Sequence, residues 1–136
     1  MRIKHRGNAR MDERTTSVAI GRYYEDLAAR HVERHDLRIV DKNFRCKLGE
    51  IDLIALDPRE RLVFIEVRYR TSHRFGGALA SVTTRKQLRL RRAAQVYLKT
   101  HREYQHHYCR FDVVGIEKAS AQASEVTINW IKSAFY

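Results

Sequence analysis

The chain has 136 residues, of which 27 are Lys or Arg and 16 are Asp or Glu, giving a formal charge of +11. That length suits one domain with a core that needs no staples, and a hydrophobic content of 43% excludes a disordered basic tail. No apolar run has transmembrane or secretory length, and Cys46 and Cys109 fit neither a disulfide framework nor a CxxC site, which points to a reduced, cytoplasmic setting.

Residues 1–16 show no apolar period and read as a flexible basic arm, ahead of a single domain over 17–136. Ser17 is an N-cap candidate, and Ile20, Tyr24, Leu27, Ala28 and His31 recur at helical spacing, which predicts an amphipathic helix over 18–35. Three strand-like runs follow over 37–45, 50–56 and 61–68. The last two are apolar on both faces, as central strands are. Residues 69–81 read as a loop. Thr83 or Thr84 can cap a helix running to about residue 100, and residues 110–116 and 126–131 complete the pattern as strands. The order is α-β-β-β-α-β-β, without repeats or linkers, and the fold class is α/β.

The charge is concentrated. Residues 67–102 carry ten Lys or Arg and no acid, residues 1–17 carry a net +3, and the remainder carries a net −2. An acid-free basic stretch of this kind suits a polyanion, and nucleic acid is the expected partner. Within it, Arg70, Arg74, Arg85, Arg89 and Arg92 are candidate phosphate contacts. Tyr69, His73 and Phe75 suit base stacking and core packing equally well. His101, His106 and His107 lack the cysteine or acid arrangement of a zinc site. Asp112 is expected to pair with a basic side chain, and Trp130 and Phe135 to cover the core or an edge.

Two acids interrupt the central strands. Strand residues of one parity share a face, so Glu50, Asp52, Ile54 and Leu56 are expected together, as are Leu62, Phe64, Glu66 and Arg68. With 57–61 as the loop of a hairpin, Leu56 opposes Leu62, Asp52 opposes Glu66 and Glu50 opposes Arg68. Opposed Cβ atoms lie about 4.5–5.5 Å apart, which sets two carboxylates face to face in an apolar sheet. Such a pair is destabilising unless one acid is protonated or a cation bridges them. Mg²⁺ held by carboxylate oxygens, a backbone carbonyl and waters resolves the conflict. The competing reading is ion pairing of Glu50 with Arg68, Glu66 with Arg70, and Asp52 with a helix arginine.

The motifs Gly21-Arg-Tyr-Tyr-Glu25, Asn43-Phe-Arg45, Gly49-Glu-Ile-Asp-Leu-Ile-Ala55, Val63-Phe-Ile-Glu-Val-Arg-Tyr-Arg70, Val82-Thr-Thr-Arg-Lys86, Arg110-Phe-Asp-Val-Val114 and Ala134-Phe135 resemble the YraN-like family of small bacterial proteins. That family is similar to the PD-(D/E)xK nucleases, near the Holliday junction resolvases. The resemblance covers residue 17 to the C-terminus. It implies a restriction-endonuclease-like αβββαβ core, with a mixed central sheet flanked by helices. It also implies Asp52 as the motif aspartate, Glu66 as the (D/E)xK acid and Glu25 as the first-helix glutamate. Lys86 and Gln87 match polar helix positions near the site. The metal, Mg²⁺ or Mn²⁺, is then held by Asp52, Glu66, the Val67 carbonyl and Glu25 or Glu50, with Arg68 and Lys86 on the phosphate. Arg68 stands where the motif has lysine; arginine stays protonated and cannot serve as a general base.

The expectation is therefore a metal-dependent, structure-selective DNA endonuclease, acting as a homodimer if it works as resolvases do, with no membrane partner. A non-catalytic nucleic-acid-binding domain on the same fold and a basic structural protein that binds RNA or a protein are the alternatives.

Overall fold

The computed structural model describes residues 13–71, 77–120 and 122–136. The elements are α1 (Glu13–Arg34), β1 (Arg38–Cys46), β2 (Gly49–Leu56), β3 (Leu62–Arg70), α2 (Gly77–Ser81), α3 (Thr84–Thr100), a 3₁₀ turn (Arg102–Tyr104), β4 (Cys109–Lys118) and β5 (Val126–Phe135). The strands form one mixed sheet in the order β1-β2-β3-β4-β5. All neighbours are antiparallel except β3 and β4. That parallel step needs a crossover, which α2 and α3 supply.

Helices cover both faces. On one side Ile54, Leu56, Leu62 and Phe64 pack against Leu90, Ala94 and Tyr97 of α3 and Ala78 of α2. On the other, Leu53, Ala55, Val63, Ile65 and Val114 pack against Tyr24, Ala28 and Val32 of α1. Double coverage explains why β2 and β3 are nearly continuous apolar runs. The hairpin between them is fixed by Asp57, which is buried. Its Oδ1 accepts from the backbone N–H of Arg59 and of Arg61, both at 2.9 Å. Its Oδ2 accepts from Arg61 Nε at 2.6 Å and Arg110 Nη1 at 3.0 Å. Burial alone would raise the Asp57 pKa, but the donors of Arg61 and Arg59 hold it below the usual carboxylate value. Leu56 opposes Leu62, as the five-residue loop predicts.

Several boundaries differ from expectation. The predicted arm ends early: residues 1–12 lie outside the described residues, and α1 already begins at Glu13, so Ser17 lies inside the helix and does not cap it. Residues 16–20 are exposed; these turns extend from the packed C-terminal half, since propagation is far easier than nucleation. Within the predicted loop 69–81, β3 runs on to Arg70 and α2 forms. Thr83 is the N-cap of α3, accepting from the Lys86 N–H. No helix among the described residues is long and apolar enough to cross a membrane.

Two glycines set the helices on the sheet. A Cβ at Gly115 would lie 2.4 Å from the Ala78 Cβ, and one at Gly49 would lie 2.6 Å from the Arg89 carbonyl oxygen. Backbone cannot move aside as a flexible side chain can. Gly49→Ala is therefore expected to cost about 1–3 kcal/mol, seen as a lower urea midpoint at unchanged m-value. An unchanged midpoint would mean that α3 is not seated on the start of β2.

Candidate active site

The site forms where β2 and β3 part. Their ladder runs from Leu56↔Leu62 through Ile54↔Phe64 to Leu53↔Ile65 and stops there. Beyond it, Asp52 Oδ2 accepts the backbone N–H of Val67 at 2.8 Å, a side chain in the place of a ladder carbonyl. Strand alternation also slips at this point. Ile51 packs with Ile54 and Leu56 on the α3 side, while Leu53 packs on the α1 side. The expectation that Glu50, Asp52, Ile54 and Leu56 share a face is thereby corrected. The cause lies on the neighbouring strand. Asn43, flanked by Lys42↔Leu53 and Phe44↔Ile51, falls opposite Asp52 and has φ 53°. Asn tolerates this left-handed conformation better than most residues, and the turn it imposes reverses the faces of both strands.

As a result Asp52 reaches groups on both sides of the sheet. It is hydrogen-bonded to Glu66 of β3 and to Glu25 of α1. Burial first, and then the Glu66 charge, push the Asp52 carboxyl up to about 8, against the opposing Val67 N–H. Burial also raises Glu66, although the Asp52 hydrogen bond and the charges of Arg68 and Lys86 oppose this. Burial thus pushes both carboxyls toward their protonated forms. Burial, followed by the Asp52 charge, pushes Glu25 up to about 7, while a hydrogen bond from the Asn43 side chain favours its ionised form. Asn43 belongs to a motif that carries the family resemblance but was not among the expected site residues; an Asn inside a strand-like run is the signal that marks it.

The basic residues divide into those at the site and those along its rim. Arg68 Nη1 lies 3.5 Å from Glu66 Oε1, and its Nε donates to Ser81 Oγ at 2.9 Å. Ser81 in turn donates to the Ala78 carbonyl at 2.5 Å, so Arg68 is latched onto α2. Lys86, in the first turn of α3, is exposed at its own position, yet its charge acts on Glu66. Glu50 is exposed and pairs with Arg45 at 3.5 Å, its partner in the β1–β2 register. The expected pairing of Glu50 with Arg68 is thus replaced by a nearer strand neighbour. Likewise Glu66 pairs with Arg68, and Arg70 stands opposite Glu117 in the β3–β4 register.

Arg85, Arg89 and Arg92 follow one another at i, i+4 and i+7 and are all exposed, forming one cationic edge of α3. Arg74, His73 and Phe75 lie outside the described residues. Tyr69 is spent on packing: its ring stacks on Tyr24 at 3.7 Å. His101 stacks on Tyr97 at 3.8 Å, and His107 Nδ1 bonds the Glu60 carbonyl, away from the carboxylates.

Among the described residues, no three His, Cys, Asp or Glu side chains are spaced as a ready-made ligand set. The donor chemistry nevertheless fits a hard divalent cation. The donors are all oxygens, and burial disfavours two bare carboxylates at Asp52 and Glu66, a conflict that a cation relieves.

Residues 24–116 match the model of the uncharacterised protein family UPF0102. Among similar bacterial chains, each called a UPF0102 protein, that of Alcanivorax borkumensis is 53% identical over 116 residues, spanning 85% of this chain and 90% of its own. That of Nitrosococcus oceani is 48% identical over 115 residues, spanning 85% and 90%. That of Stutzerimonas stutzeri is 46% identical over 119 residues, spanning 88% and 96%.

Proposed function

The chain belongs to the UPF0102 (YraN-like) family, and we propose that it is a nucleic-acid-binding protein with a metal-dependent, endonuclease-like site for phosphodiester hydrolysis in branched DNA. The observation that carries this reading is the buried Asp52–Glu66 pair, joined by Glu25, acted on by the Lys86 charge and placed directly before the acid-free basic stretch 67–102. The element order α1-β1-β2-β3-α3-β4, with β3 and β4 parallel, supports a restriction-endonuclease-like core.

Asp52 and Glu66 would hold Mg²⁺ or Mn²⁺ together with Glu25 and the Val67 carbonyl. Glu50 is the weaker candidate, because it is exposed and paired with Arg45. A divalent metal held there would supply an activated water as the nucleophile. Arg85, Arg89 and Arg92 hold the backbone phosphates. Lys86 stabilises the charge that develops on the scissile phosphate, and Arg68, tied to Ser81, contributes charge without exchanging a proton. A junction presents two strands to cut, so a homodimer is the proposed active form.

The latched Arg68 at the motif lysine position favours a second reading, a binding domain on the same fold that has lost its chemistry. Incubation with branched DNA in Mg²⁺ or Mn²⁺ separates the two. Cleavage supports the first reading, and salt-sensitive binding without cleavage supports the second. Neither binding nor cleavage at low salt removes both. Under the first, Lys86→Ala is expected to lower kcat about 100-fold, the scale of losing one preorganised charge donor. Arg68→Ala is expected to cost less, since part of its bonding holds α2. Equal losses would contradict this division of roles.

A further inference from the structure

We infer that Tyr23 is a stacking platform for an unpaired nucleobase, so that the proposed site prefers DNA in which a single strand leaves the duplex. The inference rests on the nucleic-acid reading above and deepens it by naming the substrate class.

Tyr23 is 58% exposed although it immediately precedes the buried Tyr24. Its ring meets Tyr24 edge-on, with centroids 5.1 Å apart and planes at 86°. Tyr24 in turn stacks on Tyr69 at 3.7 Å and 11°. Three rings in series hold Tyr23 in one orientation while leaving it open to solvent, so a base meets a surface already fixed. Rigid aromatics of this kind give contact area at low entropic cost. The sequence alone pointed to Tyr69 as a stacking candidate; its stacking on Tyr24 moves that role one ring outward.

The location suits a nucleic acid. Tyr69 is three residues beyond Glu66 on β3, about 10 Å along the strand, and lies on the α1 side with Val67, while Arg68, bonded to Ser81, lies on the α2 side. The Lys118 charge acts on the same ring. Ile20, 46% exposed and one turn before Tyr23, extends the apolar strip. A large aromatic surface beside Lys118, at the end of the sheet that carries Glu66, fits a base with a phosphate held next to it. In duplex DNA the bases already stack on each other, whereas an unpaired base has a free π-face.

The test compares a blunt duplex with the same duplex carrying a single-stranded flap whose first unpaired base is 2-aminopurine. The full chain is expected to bind the flap more tightly and to quench the 2-aminopurine emission. Tyr23→Ala is expected to lose roughly tenfold or more of that preference, with blunt-duplex affinity unchanged. Tyr23→Phe should retain it. Tyr23→Leu, which keeps apolar bulk against Tyr24, should behave as the alanine variant does, and this guards against a folding defect. If Tyr23→Ala binds both DNAs with the wild-type ratio, or loses both equally, the stacking role is wrong while the nucleic-acid reading stands. If the wild type binds neither DNA at low salt, both fall.

Discussion

Asp52→Asn is expected to make the chain more stable above neutral pH and unable to cut. In the fold the Asp52 carboxyl titrates near 8 against an ordinary 3.8, through burial first and then the neighbouring Glu66 charge. Between those values the native state keeps a proton that the unfolded chain has released. Unfolding then releases protons, and stability falls as pH rises from about 4 to about 8. Glu25, pushed up to about 7 from 4.5, adds to the fall over its own interval. Together the effect is on the order of a few kcal/mol. Asparagine keeps an oxygen for the Val67 N–H and offers a permanent donor toward Glu66, so it mimics the protonated acid at every pH. Tm measured with a chelator at pH 5, 7 and 9 should fall for the wild type and stay much flatter for the variant. Parallel curves would mean that the proton does not sit on this pair. Mg²⁺ competes with that proton, so it should raise the wild-type Tm more at pH 8 than at pH 5 and leave Asp52→Asn unmoved. On branched DNA the variant should show no cleavage, while binding through Arg85, Arg89 and Arg92 persists. A variant that still cuts would take Asp52 out of the chemistry.

This pair also shows how far the sequence can be read. The meeting of Asp52 and Glu66 follows from loop length: five residues between Leu56 and Leu62 leave little freedom in register. The path to that meeting was not legible. Simple alternation places Asp52 with Ile54 and opposite Glu66 in a continuous ladder, but the ladder ends at Leu53 and the faces reverse. The reversal depends on one backbone angle at Asn43, on a different strand, and periodicity within β2 carries no trace of it. Glu50 illustrates the same limit, since a neighbour across β1 competes for it and wins. The five residues of α2 are too few for a helical period to emerge. Its position depends on the contact of Ala78 with Gly115, which is remote in sequence. The basic stretch was legible because charge needs no register, and α3 places Arg85, Arg89 and Arg92 on one edge through helical spacing alone.

Asp112→Ala is expected to be the most damaging change away from the site. Asp112 is 0% exposed, in β4. Its oxygens accept from Arg110 Nε at 3.1 and 3.2 Å, from Trp130 Nε1 at 2.9 Å and from the Ser133 backbone N–H at 2.9 Å. Ser133 has φ 50°, and the β4–β5 register shifts between Phe111 and Val113, so this carboxylate pins an irregular stretch of β5. Alanine removes the acceptor for three donors at once. Arg110 keeps its 3.0 Å contact with Asp57, but one carboxylate then faces both Arg61 and Arg110. Breaking a buried pair while leaving its partner in place costs about 3–5 kcal/mol, a large part of the roughly 5–15 kcal/mol that holds a domain together. The urea midpoint should drop accordingly. Emission from Trp130, the chain's single tryptophan, should shift to the red as its indole N–H loses its acceptor. Asp112→Asn keeps one acceptor and should cost less, about 1–3 kcal/mol. Adding Ser133→Gly to Asp112→Ala should recover part of the loss, because glycine adopts the left-handed angle without the bond that enforced it. A cost below about 1 kcal/mol for Asp112→Ala would be the size of a surface change, and it would mean that β5 holds its irregular stretch by some other contact.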